Sequence, residues 1–302
     1  MNIGKKIKEL RTEKLMTQSE LAGAEITRNM LSRIENEAAL PSLGTVLYLA
    51  DRLGVPAGYL LSEGDEEFTY RKTGAMKNIK KAYADGRYEL CRDLCLESFD
   101  EFDDELELIL TDSALGIAEE RMRNGMLREA CEYLDEALRH SENTVYSTVT
   151  QRNCISILFA LLKDISPSLD SYEIETDIDI MQVTPTMYDG VFCKYVSVLL
   201  NMNKYELFSS EYTDEVVGTL PLSDIPYVYH LGARKCMLKK DFKGGLTLLE
   251  KVMNSKIGSQ KLLLYFACAD MEICCRETDD YKGAYEFAQN KMEILEHMLT
   301  DN

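Results

Sequence analysis

Histidine is scarce in this chain of 302 residues: His140, His230 and His297 lie far apart, and the nine cysteines form no Cys-x-x-Cys unit. Zinc usually takes four clustered ligands, so composition argues against a metal centre. There is no glycine-rich phosphate loop and no Ser/His/Asp arrangement, and paired acids such as Asp103-Asp104 read as solvated turn. An enzyme reading therefore has nothing to stand on. No run of about 18 apolar residues occurs, and the opening Met-Asn-Ile-Gly-Lys-Lys leads into a charged, periodic helix instead of a leader's apolar core. These absences predict a soluble cytoplasmic protein with no cofactor and no membrane partner, its thiols reduced and packed as small apolar residues. Cys91 and Cys95, one helical turn apart, could instead seat a metal or a redox pair, whereas Cys274-Cys275 reads as core.

Positive charge is also in deficit, with 34 Lys/Arg against 52 Asp/Glu and a net charge of −18. The deficit is uneven. Residues 1–63 hold eight of each sign, so all of it falls on the remainder. An acidic body repels nucleic acid, which confines any DNA contact to the head. A neutral head binds weakly alone, and pairing two heads in a dimer is the usual remedy.

What the head does contain is a short amphipathic helix from Thr27 to Asn36. Thr27 is a good N-cap; Leu31 and Ile34 share one face, flanked by Met30, and Arg28, Asn29, Ser32 and Arg33 occupy the other. Arg suits guanine O6/N7 and Asn suits adenine N6/N7, so these are residue types that read base edges in a major groove. An ordinary surface helix would look similar taken alone. The flank decides: Thr17 caps a preceding helix with an apolar patch at Leu21 and Ala22, and two short capped helices joined across Gly23 to Ile26 make a helix-turn-helix. Inside the head, Ile3, Ile7 and Leu10 give a first helix, the apolar stripe Leu43, Leu47, Ala50 and Leu53 gives a fourth, and Ala57 to Ser62 closes the small core with Tyr59, Leu60 and Leu61.

Ile7-Lys8-Glu9-Leu10-Arg11, Met16 to Ala22, Leu31 to Asn36, Pro41-Ser42-Leu43 and Leu53-Gly54-Val55 together resemble the phage-repressor-type (Xre/Cro-like) helix-turn-helix domains of bacteria. The turn between Ala22 and Thr27 is one residue shorter than the usual pattern. The resemblance implies that Gln18 contacts phosphate and that Thr27, Arg28, Asn29, Ser32 and Arg33 belong to the DNA-binding surface. It also implies that Arg11 and Glu35 tie the first helix to the recognition helix, which makes Glu35 structural.

After a linker at 64–72, residues 73–302 read as helical with a repeat. An acidic, Gly or Asn turn is followed by a large anchor and then a small residue three further on: Tyr88 with Cys91, Leu127 with Ala130, Phe242 with Gly245, Tyr281 with Ala284, and Tyr205, where Phe208 replaces the small residue. The anchors are separated by 39, 78, 37 and 39 residues, and the gap of 78 predicts a degenerate unit turning near Ser166-Pro167. The segment 168–184 fits no period. Helix pairs of this kind resemble tetratricopeptide repeats, although their period is longer than the standard ~34 residues. The fold expected is all-α: a five-helix repressor-type head, then a tetratricopeptide-like right-handed superhelix of about six helix pairs. An irregular helical bundle with evenly spaced turns is the other reading.

Such a head on such a body resembles the peptide-pheromone-responsive regulators of Gram-positive bacteria, the RRNPP group, which implies quorum sensing through a short imported peptide held in the concave groove. The candidate peptide contacts are polar or aromatic residues on otherwise apolar first helices: Tyr146, Arg152, Asn153, Tyr195, Asn201, Tyr227 and Arg234, with Tyr188 and His230 nearby. Asn and Arg suit the free backbone groups of an extended peptide, and Tyr gives area at low entropy cost. The function expected is a sequence-specific, homodimeric transcription regulator of a palindromic operator, gated by peptide. A repressor whose repeats bind a protein partner, or a pure interaction scaffold, are the alternatives.

Overall fold

The computed structural model describes residues 3–62, 65–165, 191–204, 225–255 and 260–300, with the backbone alone for 65–67, 191, 201, 203, 204 and 225. The expectations for Tyr188, Tyr205, Phe208, Ser166-Pro167, 168–184 and the side chain of Asn201 lie outside the described residues. Among the described residues every regular element is an α-helix. The chain divides into two compact units, Met1–Lys81 and Ala82–Asn302.

In the first unit, α1 (Ile3–Glu13), α2 (Gln18–Ala22), α3 (Arg28–Glu35), α4 (Leu43–Leu53) and α5 (Ala57–Leu61) follow one another. The starts of α2, α3 and α4 are fixed locally. Thr17 accepts from the Glu20 N–H at 3.2 Å while its own N–H donates to Glu20 Oε2 at 2.6 Å, a reciprocal capping box. Thr27 and Ser42 cap α3 and α4 without the return bond, accepting from the N–H groups of Met30 and Thr45 at 3.2 Å. Ile7, Leu21, Leu31, Ile34, Leu49 and Leu53 form the shared core. On α4 the buried stripe is Val46, Leu49, Ala50 and Leu53, while Leu43 and Leu47 are 66% and 53% exposed. That corrects the sequence expectation: the helix carries two overlapping apolar stripes, and only one can face the core. Leu61 likewise points out, at 53% exposed. Lys6 is buried, and its ammonium donates to the carbonyls of Tyr59 and Ser62, both at 2.9 Å, and lies 4.7 Å from the Tyr59 ring centroid. It ties α1 to the carbonyl end of α5, where a cation is favoured.

The predicted linker at 64–72 is instead the opening of α6 (Asp65–Ala84). Acids favour a helix N-terminus, so Asp65-Glu66-Glu67 is helix-start composition, and the division between units falls inside α6 and not before it.

The second unit contains α7 (Tyr88–Ser98), α8 (Asp104–Asn124), α9 (Leu127–Glu142), α10 (Val149–Ile165), α11 (Val191–Lys204), α12 (Ile225–Leu238), α13 (Phe242–Asn254), α14 (Lys261–Glu277) and α15 (Tyr281–Thr300). The anchors Tyr88, Leu127, Phe242 and Tyr281 are each the first residue of a helix. Two residues before each anchor the backbone turns left-handed, at Gly86, Gly125, Lys240 and Asp279 with φ of 69°, 83°, 61° and 62°. The hydrogen bonds at the four turns are the same. Gly125 N–H reaches Met122 O and Met126 N–H reaches Arg121 O, a Schellman closure repeated in register. The small residues Cys91, Ala130 and Ala284 are buried, and a Cβ on Gly245 would lie 3.3 Å from Cys274 Sγ and 3.4 Å from Met237 Cγ. This is the close helix approach that the repeat pattern requires.

Lys240 and Asp279 occupy a conformation that costs an L-residue about 1–2 kcal/mol. Lys240→Gly is expected to raise stability by up to about 1 kcal/mol, the gain being reduced by the extra freedom of glycine in the unfolded chain. Denaturant midpoints check this, and a lowered midpoint would mean that the Lys240 stem contributes packing that outweighs its strain.

In an open solenoid each helix pair touches only its neighbours. Here α14 packs on α8 and α15 on α9, so the last pair returns to the pair that begins with α8. The seam is tight: a Cβ on Gly125 would lie 2.6 Å from Met298 Cγ and 3.0 Å from Lys261 Cβ. In α10 every residue from Asn153 to Phe159 is buried, and α11 is buried from Phe192 to Leu200 apart from Lys194. Among the described residues, these two stretches are core of the repeat unit on nearly every side.

Candidate nucleic-acid interface and clefts of the repeat unit

The polar face of α3 stands out from the head. Thr27, Arg28, Asn29 and Arg33 are exposed and Ser32 is half-buried. Arg28 and Asn29 make no side-chain hydrogen bond among the described residues, and Arg33 makes one long contact, 3.4 Å to the Ala38 carbonyl. Two guanidinium groups and a carboxamide thus project from one face with their donors available.

The opposite face is locked. Arg11 grips Glu35 with both prongs, Nε to Oε1 at 2.6 Å and Nη2 to Oε2 at 3.1 Å, while its Nη1 donates to the Met16 carbonyl at 2.8 Å. Gln18 Nε2 donates to Glu35 Oε2 at 2.7 Å. The Glu35 side chain is 1% exposed. One carboxylate therefore joins α1, α2 and α3, and its hydrogen bonds hold the Arg11 guanidinium above its ordinary pKa. Gln18 contributes one of its two amide protons to this cluster. Tyr48 Oη donates to the Ala22 carbonyl at 3.0 Å, and Arg52 Nη2 to the Glu20 carbonyl at 2.6 Å, so α4 closes the end of α2.

The residues singled out in the second unit part company. Tyr195 and Tyr227 are 0% and 3% exposed, with ring centroids 4.5 Å apart. Tyr195 Oη lies 3.0 Å from His230 Nδ1, His230 Nε2 lies 3.1 Å from Asp270 Oδ2, and Arg234 donates to both oxygens of Asp270 at 2.6 and 2.9 Å. Burial lowers the His230 pKa, against the opposite pull of the Asp270 carboxylate. Burial works against the Asp270 carboxylate, yet Arg234 and His230 hold its pKa below the ordinary value. Arg152 closes the end of α9, Nη2 donating to the Ser141 carbonyl at 3.0 Å and Nε to Ser141 Oγ at 3.2 Å. Tyr146 is 51% exposed and sits before α10, not on it, because the helix begins at Val149. Asn153 is buried, at 9% exposed. Cys91 and Cys95 are buried against each other, and the hydrogen bond from Cys95 brings the Cys91 thiol down to about 7.

Two clefts open among first helices. One of about 450 Å³ is lined by Met202, Met237, Leu238, Phe242 and Ile273, with Arg234 and Asp270 at its polar edge. The other, about 590 Å³, lies where the start of α7 meets α8 and α10. On α8 its wall is Asp112, Gly116, Glu119 and Arg123, a stripe at helical spacing that the sequence displays and that its reading passed over.

Residues 7–60 match the family model described as helix-turn-helix. No curated protein matches the chain. Solved structures similar to it include the apo form of ComR from S. thermophilus, 15% identical, covering 100% of this chain and 99% of that one with a TM-score of 0.34. Another is Bacillus thuringiensis PlcR in complex with the peptide PapR7 and DNA, 16% identical, covering 99% of each chain with a TM-score of 0.23. A third is ComR from S. thermophilus in complex with DNA and its signalling peptide ComS, 18% identical, covering 97% and 99% with a TM-score of 0.24. The exposed face of α3, the Glu35 cluster behind it and the match over 7–60 agree: the N-terminal part of this chain is a repressor-type helix-turn-helix DNA-binding domain.

Proposed function

We propose that the chain is a sequence-specific, homodimeric transcription regulator that enters the major groove with α3, and whose repeat unit binds a short signalling peptide that changes DNA binding. The observation that carries it is the pair of opposed faces on α3, with Arg28, Asn29 and Arg33 outward and Glu35 locked to Arg11 and Gln18 inward. Arg28, Asn29, Ser32 and Arg33 face the groove, where Arg and Asn suit base edges, with Thr27 beside them on the DNA-binding surface and Gln18 on phosphate. Dimerisation supplies the affinity that a head of zero net charge lacks, and an exposed stripe on α15, Tyr281, Tyr285 and Met292, supports a dimer face there. The clefts of about 450 and 590 Å³ support a ligand in the repeat unit, and Tyr146, Arg152, Asn153, Asn201 and Arg234 remain its proposed contacts. Tyr195 and Tyr227 act from behind, by holding His230 and through it Asp270 and Arg234. Peptide binding shifts the population of head arrangements toward or away from half-sites about 34 Å apart.

Selection from a random DNA pool with the full chain at moderate salt tests the first half. A palindromic site is expected, and no enriched site would refute it. Arg33→Ala is expected to cost about 1–3 kcal/mol on the selected site and to relax preference at one base pair; an equal loss on random DNA would make Arg33 a phosphate contact. Mass spectrometry of small peptides that co-purify tests the second half. A protein partner recovered in their place would favour an anti-repressor-type partner for the repeats.

A further inference from the structure

Asp112 is fixed by neutral donors only. Tyr83 Oη donates to its Oδ2 at 2.8 Å and Gln151 Nε2 to its Oδ1 at 2.9 Å, which leaves about half of a carboxylate's lone-pair sites open. Among the described residues neither Asp112 nor Glu120 has a cation within pairing distance. Glu119 has Arg123, one bond at 3.2 Å, yet burial keeps its carboxyl above the usual range, and the Arg123 guanidinium lies over the Phe192 ring, 5.0 Å from the centroid. The cleft thus gathers three acidic side chains against one guanidinium.

Aromatic surface stands beside this charge. Gly116 brings the α8 backbone against Tyr88, whose ring a Cβ at that position would overlap. Tyr83 meets Tyr88 edge to face, with centroids 6.1 Å apart. Carboxylates beside aromatic rings recognise organic cations. A metal ion is a poor alternative, because no group of three His, Cys, Asp or Glu among the described residues could hold one.

We infer that the cleft walled by Tyr83, Tyr88, Asp112, Glu119 and Glu120 binds an organic cation, an ammonium or guanidinium group carried by the short peptide. The identity of the carrier rests on the peptide reading above; the preference for positive charge does not.

The test is isothermal titration of the full chain at low salt with N-acetylarginine amide and its neutral isostere, N-acetylcitrulline amide. The arginine probe is expected to bind roughly tenfold tighter or better, and Asp112→Asn to abolish the difference. Glu120→Gln, at an exposed position that holds no neighbour in place, is expected to narrow it about threefold without disturbing the fold. Equal binding of the two probes, or binding of neither, overturns the inference. Capture of a random heptapeptide library, read by mass spectrometry, separates it from the peptide reading. Enrichment of Lys and Arg that disappears in Asp112→Asn supports both, and captured peptides without cationic bias overturn the cation preference alone. Discrimination between the probes with no peptide captured supports the cation site and refutes the peptide.

Discussion

Glu35→Ala is expected to destabilise the head by about 3–5 kcal/mol, because it strands the Arg11 guanidinium, 14% exposed, and removes the acceptor of Gln18. A domain of this size seldom has more than about 3–5 kcal/mol to lose, so much of the head unfolds and DNA binding falls with it. The sign is what discriminates. A surface carboxylate beside a DNA-reading helix would repel phosphate, and removing it would strengthen binding; a carboxylate that fixes α1 and α2 to α3 gives the opposite result. Replacing the pair together, Arg11→Met with Glu35→Leu, leaves no buried charge unpaired and should recover much of the lost stability. Denaturant unfolding of the full chain by circular dichroism, beside DNA titration at fixed salt, reads both quantities. A loss below about 1 kcal/mol would place the pair among ordinary surface ion pairs.

The head was legible because its determinants are short-range. Thr17, Thr27 and Ser42 announce their helices within three residues, and Arg11 and Glu35 stand where the family pattern puts them. The phase of the repeat was legible for the same reason: a left-handed residue two places before Tyr88, Leu127, Phe242 or Tyr281 writes each turn into the sequence. Facing was harder. On α4, Leu43 and Leu47 make as good a stripe as Val46 and Leu49, and the choice belongs to the three helices packed against it. The same limit applied to the candidate peptide contacts. Tyr195, Tyr227 and His230 looked like groove residues because they are polar on apolar helices, but they pack against one another and His230 against Asp270 of α14, and periodicity within one helix carries no trace of such contacts. Asp112, Glu119 and Arg123 were visible as a stripe on α8. What the sequence carries no local signal of is that Tyr83 and Gln151 converge on Asp112 from other helices.

Gly4→Ala and Gly74→Ala should move stability in opposite directions. Both glycines lie inside helices, α1 and α6, where alanine is intrinsically better by about 0.5–1 kcal/mol. At Gly74 a Cβ would meet nothing within 4 Å, so that gain should appear in full as a raised unfolding midpoint. At Gly4 the added carbon would overlap the Ile34 carbonyl oxygen and lie 3.0 Å from its carbon and 3.3 Å from Glu35 Cα. All three obstacles are backbone, so no side chain can swing aside, and α1 must back away from α3. That motion stretches the Arg11–Glu35 bonds and pulls the buried Lys6 ammonium from the Tyr59 and Ser62 carbonyls. Overpacking against a side chain costs about 1–3 kcal/mol; against backbone, with two anchor points lost, the cost should reach about 3 kcal/mol or more and overwhelm the helical gain. DNA affinity should fall in Gly4→Ala even where the head still folds, since α3 keeps its residues and loses its bearing on α1. If Gly4→Ala were as stabilising as Gly74→Ala, the α1–α3 contact would be looser than the structure has it, and Glu35 could not be acting through it.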